Sequence, residues 1–153
     1  MYKVLIICTH NSARSQMAEA YLQQMGGKNF QVQSAGFEPG PINPDVINVL
    51  LEDGIDISTK SSQKVFDLFQ QGRIFDFVIT ICEQEEDRCP IFPGLTHRLH
   101  LPFPDPSQVS GDEEHRLNTI RDIRDGIKEK MQEFKNWVQS AERFSLSQQW
   151  VYK

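Results

Sequence analysis

The chain has 153 residues, 39% hydrophobic and 24% charged, with a formal net charge of −5. That fits one domain with a real core, and it argues against nucleic-acid binding, which rests on a clustered basic surface. No apolar run is long enough to span a bilayer and no signal-peptide pattern opens the chain, so a cytoplasmic monomer without a membrane partner is expected.

Residues 2–8 are nearly continuously apolar from Val4 and end on Cys8, the pattern of a strand in a parallel sheet covered on both faces. Residues 13–25 read as a helix that Gly26-Gly27 ends. Residues 30–34 form a second, short strand. Residues 36–44 hold two glycines and three prolines and are a loop. Asn43 is placed to cap the next helix, with Pro44 at its first position, and that helix ends near Asp53-Gly54. A further helix over 62–71 stops at Gly72. Residues 75–82 make the third strand, which also ends on a cysteine, Cys82. Residues 96–101 are a weaker fourth strand, after which Pro102, Pro104 and Pro106 force a loop. From Glu113 to about Ser140, residues Leu117, Ile120, Ile127, Met131, Phe134 and Val138 keep a helical period. One catalytic domain over 1–140 is expected. The tail, 141–153, has no clear pattern, though Phe144 and Trp150 are candidates for packing.

Strands alternating with helices imply an α/β fold with a parallel sheet. Ligands in such folds bind at the carboxyl ends of the strands. Cys8 and Cys82 both fall there, so neighbouring first and third strands would turn both thiols to one crevice. Three cysteines are an odd number and too few for a disulfide scaffold. In a reducing compartment thiols are catalytic, metal-bound or buried.

Between Cys8 and Arg14 a helix begins. Its first N–H groups and its dipole favour an anion in the loop. The planar guanidinium of Arg14 can clamp two oxygens of a tetrahedral anion. The same positive field favours Cys8 as a thiolate, the nucleophilic form. Ser12 and Ser15 can donate to that sulfur or to the loop, and Asn11 can take a left-handed turn without a glycine. The plainer reading makes Cys8 a buried strand-end thiol and Arg14 a surface helix residue. Asp105, between Pro104 and Pro106, reads locally as a turn.

The run Cys8-Thr9-His10-Asn11-Ser12-Ala13-Arg14-Ser15-Gln16-Met17-Ala18-Glu19-Ala20 resembles the signature loop of the low-molecular-weight protein tyrosine phosphatase fold. Within that fold it is most similar to the thioredoxin-coupled arsenate reductases, and the resemblance extends over residues 2–138. It implies a three-layer fold, a four-stranded parallel sheet flanked by helices. It also implies an oxyanion cradle made by Thr9, His10, Asn11, Ser12, Ala13 and Arg14, with Asp105 as general acid and Ser15 beside the nucleophile Cys8. The segment Cys82-Glu83-Gln84-Glu85-Glu86-Asp87-Arg88-Cys89-Pro90 resembles the redox segment of the reductases.

By that resemblance Cys8 attacks arsenate, Cys82 attacks Cys8 to free arsenite, and Cys89 attacks Cys82, leaving a disulfide for thioredoxin to reduce. Thioredoxin is then the reductant, and no bound cofactor is implied. A straight helix over 82–89 would hold Cys82 and Cys89 about 10.5 Å apart along its axis. A disulfide needs Cα atoms within roughly 7 Å, so the segment must bend or unwind to join them.

The chain departs from the family at Ala13, often a cysteine in relatives, and at His10, often a glycine; a positive φ at His10 would be costly. Some reductases bind potassium near residues matching Asn11, Glu19 and Ser34, but the remaining ligands are not evident and no metal is expected. Two thiols seven apart with no matching histidine pair also lack zinc-ligand spacing.

Two rival functions remain. A phosphomonoesterase would use Cys8, Arg14 and Asp105 and leave Cys82 and Cys89 idle; Ser107 and Gln108 stand where such phosphatases commonly carry tyrosines. A sensor of oxyanions or arsenite would use the three thiols to bind without turnover.

Overall fold

The computed structural model describes residues 1–83, 94 and 96–140. Four strands, β1 (Tyr2–Cys8), β2 (Phe30–Gly36), β3 (Phe77–Thr80) and β4 (His97–His100), form one sheet in the order β2-β1-β3-β4. Every pairing is parallel. Four helices, α1 (Arg14–Gly26), α2 (Pro44–Leu51), α3 (Val65–Gln70) and α4 (Glu113–Gln139), connect and cover it. β1 is central, and its residues Val4, Leu5, Ile6 and Ile7 are fully buried. That burial is why the strand carries no polar alternation.

The helix starts follow their sequence signals. The Asn43 side chain accepts from Asp45 N–H at 2.9 Å, with Pro44 at the first helical position of α2. Asp112 caps α4 by accepting from His115 N–H at 2.8 Å, and Glu113 and Glu114 fill the first turn. Down α4, Ile120, Ile123, Ile127, Met131, Phe134 and Val138 form the buried stripe. At its end, Phe134 meets the β3 residue Phe77 edge-on, with ring centroids 5.2 Å apart, and Trp137 joins them at 5.9 Å. Arg124 ties α4 to α2, donating to the Val49 carbonyl at 2.9 Å and to Glu52 at 2.7 Å.

Several boundaries differ from the expected ones. β2 runs two residues further, to Gly36, because Cys8 pairs with Gly36 and extends the ladder. α2 stops at Leu51, and the turn after it closes through Asp53 N–H to the Leu50 carbonyl and Gly54 N–H to the Leu51 carbonyl. Residues 62–64 are extended and not helical: Gly36 donates to the Gln63 carbonyl at 2.8 Å and bridges Lys64. β3 proper is shorter than expected, yet Asp76 N–H to the Lys3 carbonyl and Ile81 N–H to the Ile7 carbonyl continue its bonding at both ends. Cys89 and the tail 141–153 lie outside the described residues, as do the bend required of 82–89 and any packing of Phe144 and Trp150. No helix among the described residues is long and apolar enough to cross a membrane.

Candidate active site

Cys8 closes β1, and the chain then curls through residues 9–13 into α1. The curl depends on Asn11, whose φ of +52° is the only positive value at a non-glycine among the described residues; a short polar side chain tolerates it. His10 therefore avoids the strained conformation considered for it. It stands at the exposed rim, with Nδ1 2.9 Å from the Glu38 carbonyl.

Five consecutive carbonyls of the loop turn outward. Those of Cys8, Thr9, His10 and Ser12 accept from the N–H groups of Phe37, Glu38, Gly40 and Asn43, at 3.3, 2.8, 3.0 and 2.9 Å. That of Asn11 accepts from Gln16 Nε2 at 3.0 Å. With the carbonyls engaged outside, the N–H groups of the curl face inward, which suits an anion. Gly36 makes the close approach possible: a Cβ there would lie 2.7 Å from Asn11 N and 2.8 Å from Thr9 O.

The Cys8 sulfur, 2% exposed, receives two donors. Asn11 N–H points to it at 3.2 Å, and Ser15 Oγ lies 3.0 Å away. Ser15 Oγ accepts from Asn11 Nδ2 at 2.8 Å, which leaves its own hydroxyl hydrogen for the sulfur. Charge-assisted donors of this kind suit a thiolate. Asn11 Nδ2 also donates to Ser34 Oγ at 2.9 Å, and Ser34 donates to Glu19 Oε1 at 2.8 Å. The other Glu19 oxygen is paired with the Lys60 ammonium.

Beside the curl lies a cleft of about 340 Å³ lined by Thr9, His10, Arg14, Cys82, Glu83, Asp105 and Gln108, with Cys8 buried behind Thr9 and outside that lining. Arg14 is buried in its wall. Its Nη1 donates to the Phe103 carbonyl at 3.1 Å, and its Nη2 lies 3.8 Å from Asp105 Oδ2. Asp105 makes the expected turn, its Oδ1 accepting from Ser107 N–H at 2.9 Å, while its Oδ2 faces Arg14. The Asp105 N–H donates to Glu83 Oε1 at 3.3 Å.

Cys82, just past β3, is also a buried thiol, and its sulfur is 3.6 Å from Thr9 Oγ1. Cys82 thus lies against Thr9, the residue after Cys8, at the carboxyl end of the strand that neighbours β1. Ser12 and Ala13 are buried in the curl, and Ala13 precedes α1 without a side-chain cap. Among the described residues no cluster of three or more His, Cys, Asp or Glu could hold a metal.

The sequence reading missed Lys60, Gln16, Gln63 and Glu83. A signal for part of this network existed: Ser15 and Glu19 are polar at i and i+4 on the α1 face that also buries Ala18 and Leu22.

A thiol at the floor of a curled strand-to-helix loop, under a guanidinium and a carboxylate, defines a cysteine-centred oxyanion site on a parallel α/β sheet. The chain belongs to the low molecular weight phosphotyrosine protein phosphatase family, which matches residues 3–144. It is 36% identical over 132 residues to an arsenate reductase of Bacillus subtilis, covering 86% of this chain and 93% of that one. It is 37% identical over 133 residues to arsenate reductase 1 of Staphylococcus haemolyticus, with 86% and 93% covered. Among solved structures, a thioredoxin-dependent arsenate reductase of Corynebacterium glutamicum superposes with a TM-score of 0.71 at 31% identity, over 91% of this chain and 62% of that one. A tyrosine phosphatase of Erwinia amylovora, 18% identical with a TM-score of 0.69 over 89% and 93%, shares the fold.

Proposed function

We propose that this chain is an arsenate reductase regenerated by thioredoxin, and that Cys8, Cys82 and Cys89 carry its electrons in that order. The observation that favours this over a phosphatase is the second buried thiol: Cys82 opens into the same cleft as the cradle, one hydroxyl contact from Thr9. Ester hydrolysis has no use for it. The likeness to arsenate reductases supports the substrate, and the likeness to the thioredoxin-dependent enzyme of Corynebacterium glutamicum supports the reductant.

In this reading arsenate sits on the inward N–H groups of residues 9–14 and on the Arg14 guanidinium. The Cys8 thiolate attacks arsenic, and an oxygen leaves as water, protonated by Asp105, giving a Cys8–arsenic(V) adduct. The Cys82 thiolate then attacks Cys8 Sγ. A sulfur–sulfur bond forms, the sulfur–arsenic bond breaks, and its electron pair stays on arsenic, which leaves as arsenite. Two thiols have lost two electrons, and arsenic has gained them. Cys89 next attacks Cys82, restoring Cys8 and passing a Cys82–Cys89 disulfide to thioredoxin.

The test is arsenate-dependent NADPH oxidation in the presence of thioredoxin and its reductase. Wild type should turn over continuously. Cys82→Ser should release no arsenite and halt within one equivalent while keeping any hydrolysis of p-nitrophenyl phosphate. Continuous arsenate reduction by Cys82→Ser would refute the relay, and arsenite retained stoichiometrically without turnover in wild type would favour a sensor.

A further inference from the structure

The family resemblance raises a potassium site near Asn11, Glu19 and Ser34, and the donor set here does not fit one. Asn11 presents Nδ2 to Ser34 and Ser15, because its Oδ1 accepts from Gln63 N–H at 2.9 Å. That backbone donor fixes which way the amide faces. Ser34 Oγ gives its hydrogen to Glu19. The remaining Glu19 oxygen already faces a cation, the Lys60 ammonium, which arrives from the loop after α2. Glu19 is buried within α1, whereas the Lys60 side chain is 45% exposed. A buried carboxylate without a counter-charge is costly.

We propose that Lys60 is a tethered counter-cation and positioning residue, which holds Glu19 in place and thereby steadies the hydrogen-bond chain that runs through Ser34, Asn11 and Ser15 to Cys8. The direction follows from what each group can donate. A carboxylate only accepts, so Ser34 must give its hydrogen to Glu19. The Ser34 oxygen then accepts from Asn11 Nδ2. The other Nδ2 hydrogen goes to Ser15 Oγ, and when Cys8 is a thiolate, with no hydrogen to give, the Ser15 hydroxyl is the donor to its sulfur. If Glu19 swings out to solvent, Ser34 loses the acceptor that fixes its hydrogen and can turn that hydrogen against Asn11 Nδ2, which pushes Asn11 and Ser15 off their places beside the Cys8 sulfur while Gln63 still holds the amide's facing. This rests on Cys8 being the nucleophile of the reading above.

Half-exposed Lys60 also predicts a rescue. Truncation at Lys60 opens a solvent-reachable gap beside Glu19 that a small free monovalent cation can enter. At constant ionic strength, wild type should be indifferent to exchanging choline for potassium or ammonium. Lys60→Ala in choline should lose about three- to thirtyfold in the rate at which iodoacetamide alkylates Cys8, measured in a Cys82→Ser, Cys89→Ser background, with a parallel loss in kcat/KM for arsenate in the otherwise native enzyme. Potassium or ammonium should restore most of both and raise the variant's Tm, but not the wild type's. Lys60→Arg should stay near wild type.

Alkylation of Lys60→Ala within twofold of wild type in choline would overturn the proposal. So would a loss that neither small cation repairs in rate or Tm, because the role would then be shape and not charge. Alkylation and Tm need no arsenate, so failure of the substrate assignment would leave them readable.

Discussion

The floor and the wall of the cleft are built differently. On the floor, Cys8 is held through a closed set of partners: Asn11, Ser15, Ser34 and Glu19 bond one another, and residues 36–43 and 63 engage the outside of the curl. On the wall, Asp105 faces Arg14 at 3.8 Å and touches Glu83 through a single 3.3 Å bond. The floor presents a fixed array to a tetrahedral anion, and fixed donors cost no reorganisation when charge develops. On the proposed function, the wall carries the groups that would change partners during the reaction. Arg14 belongs to both: it is rooted at the start of α1 and lies buried against the Phe103 carbonyl.

The sharpest way to break the contrast is at that shared residue. Arg14→Lys keeps the charge but loses the planar pair of donors. It should lower kcat/KM for arsenate by about 10²–10³-fold with little change in Tm, read from steady-state kinetics beside thermal unfolding. A Tm collapse would show that the guanidinium serves the floor more than the anion.

The next test acts on the floor alone. Gly36→Ala forces a methyl group against the backbone of residues 9–11. It should cost about 1–3 kcal/mol of stability, read by urea unfolding, and should slow Cys8 alkylation because the curl must shift. Unchanged stability would mean the curl yields more easily than its bonds suggest.

The smallest effect expected is remote from both. Hydrogen bonds from Arg121 and Arg124 hold the Glu52 carboxyl at about 2, well below the usual carboxylate range. A carboxyl depressed in the folded state stabilises fully above its unfolded pKa of about 4.3 and loses that contribution as pH falls toward the folded value. The Tm of wild type should therefore drop between about pH 5 and pH 2, and Glu52→Gln should flatten part of that slope. Because Glu52 is partly exposed, the difference should be small.

Much of this was readable along the chain, where local signals agreed. β1 has the expected bounds because an uninterrupted apolar run ending in a polar curl admits few alternatives. Asn43 and Pro44 start α2 as cap chemistry predicts. The parallel sheet, with β1 and β3 as neighbours, follows from the alternation of strands and helices. What was not readable depends on partners far apart in the chain. Lys60 meets Glu19 across 41 positions, and Gln63 meets Asn11 across 52. Residues 62–64 look helical by composition, but bonding to Gly36 and Asn11 makes them extended. Glu83 carried no role of its own along the chain, and only the fold brings its carboxylate within 3.3 Å of the Asp105 N–H.

The outward carbonyls have a further consequence. Four of the five are gripped by main-chain amides, which every residue except proline supplies. The contour of the loop is thus largely indifferent to which side chains decorate it. That explains how His10 and Ala13 stand where relatives often have glycine and cysteine without spoiling the curl. Such a loop can exchange rim residues, and with them its preference among neighbouring ligands, while the grip on four oxygens stays the same.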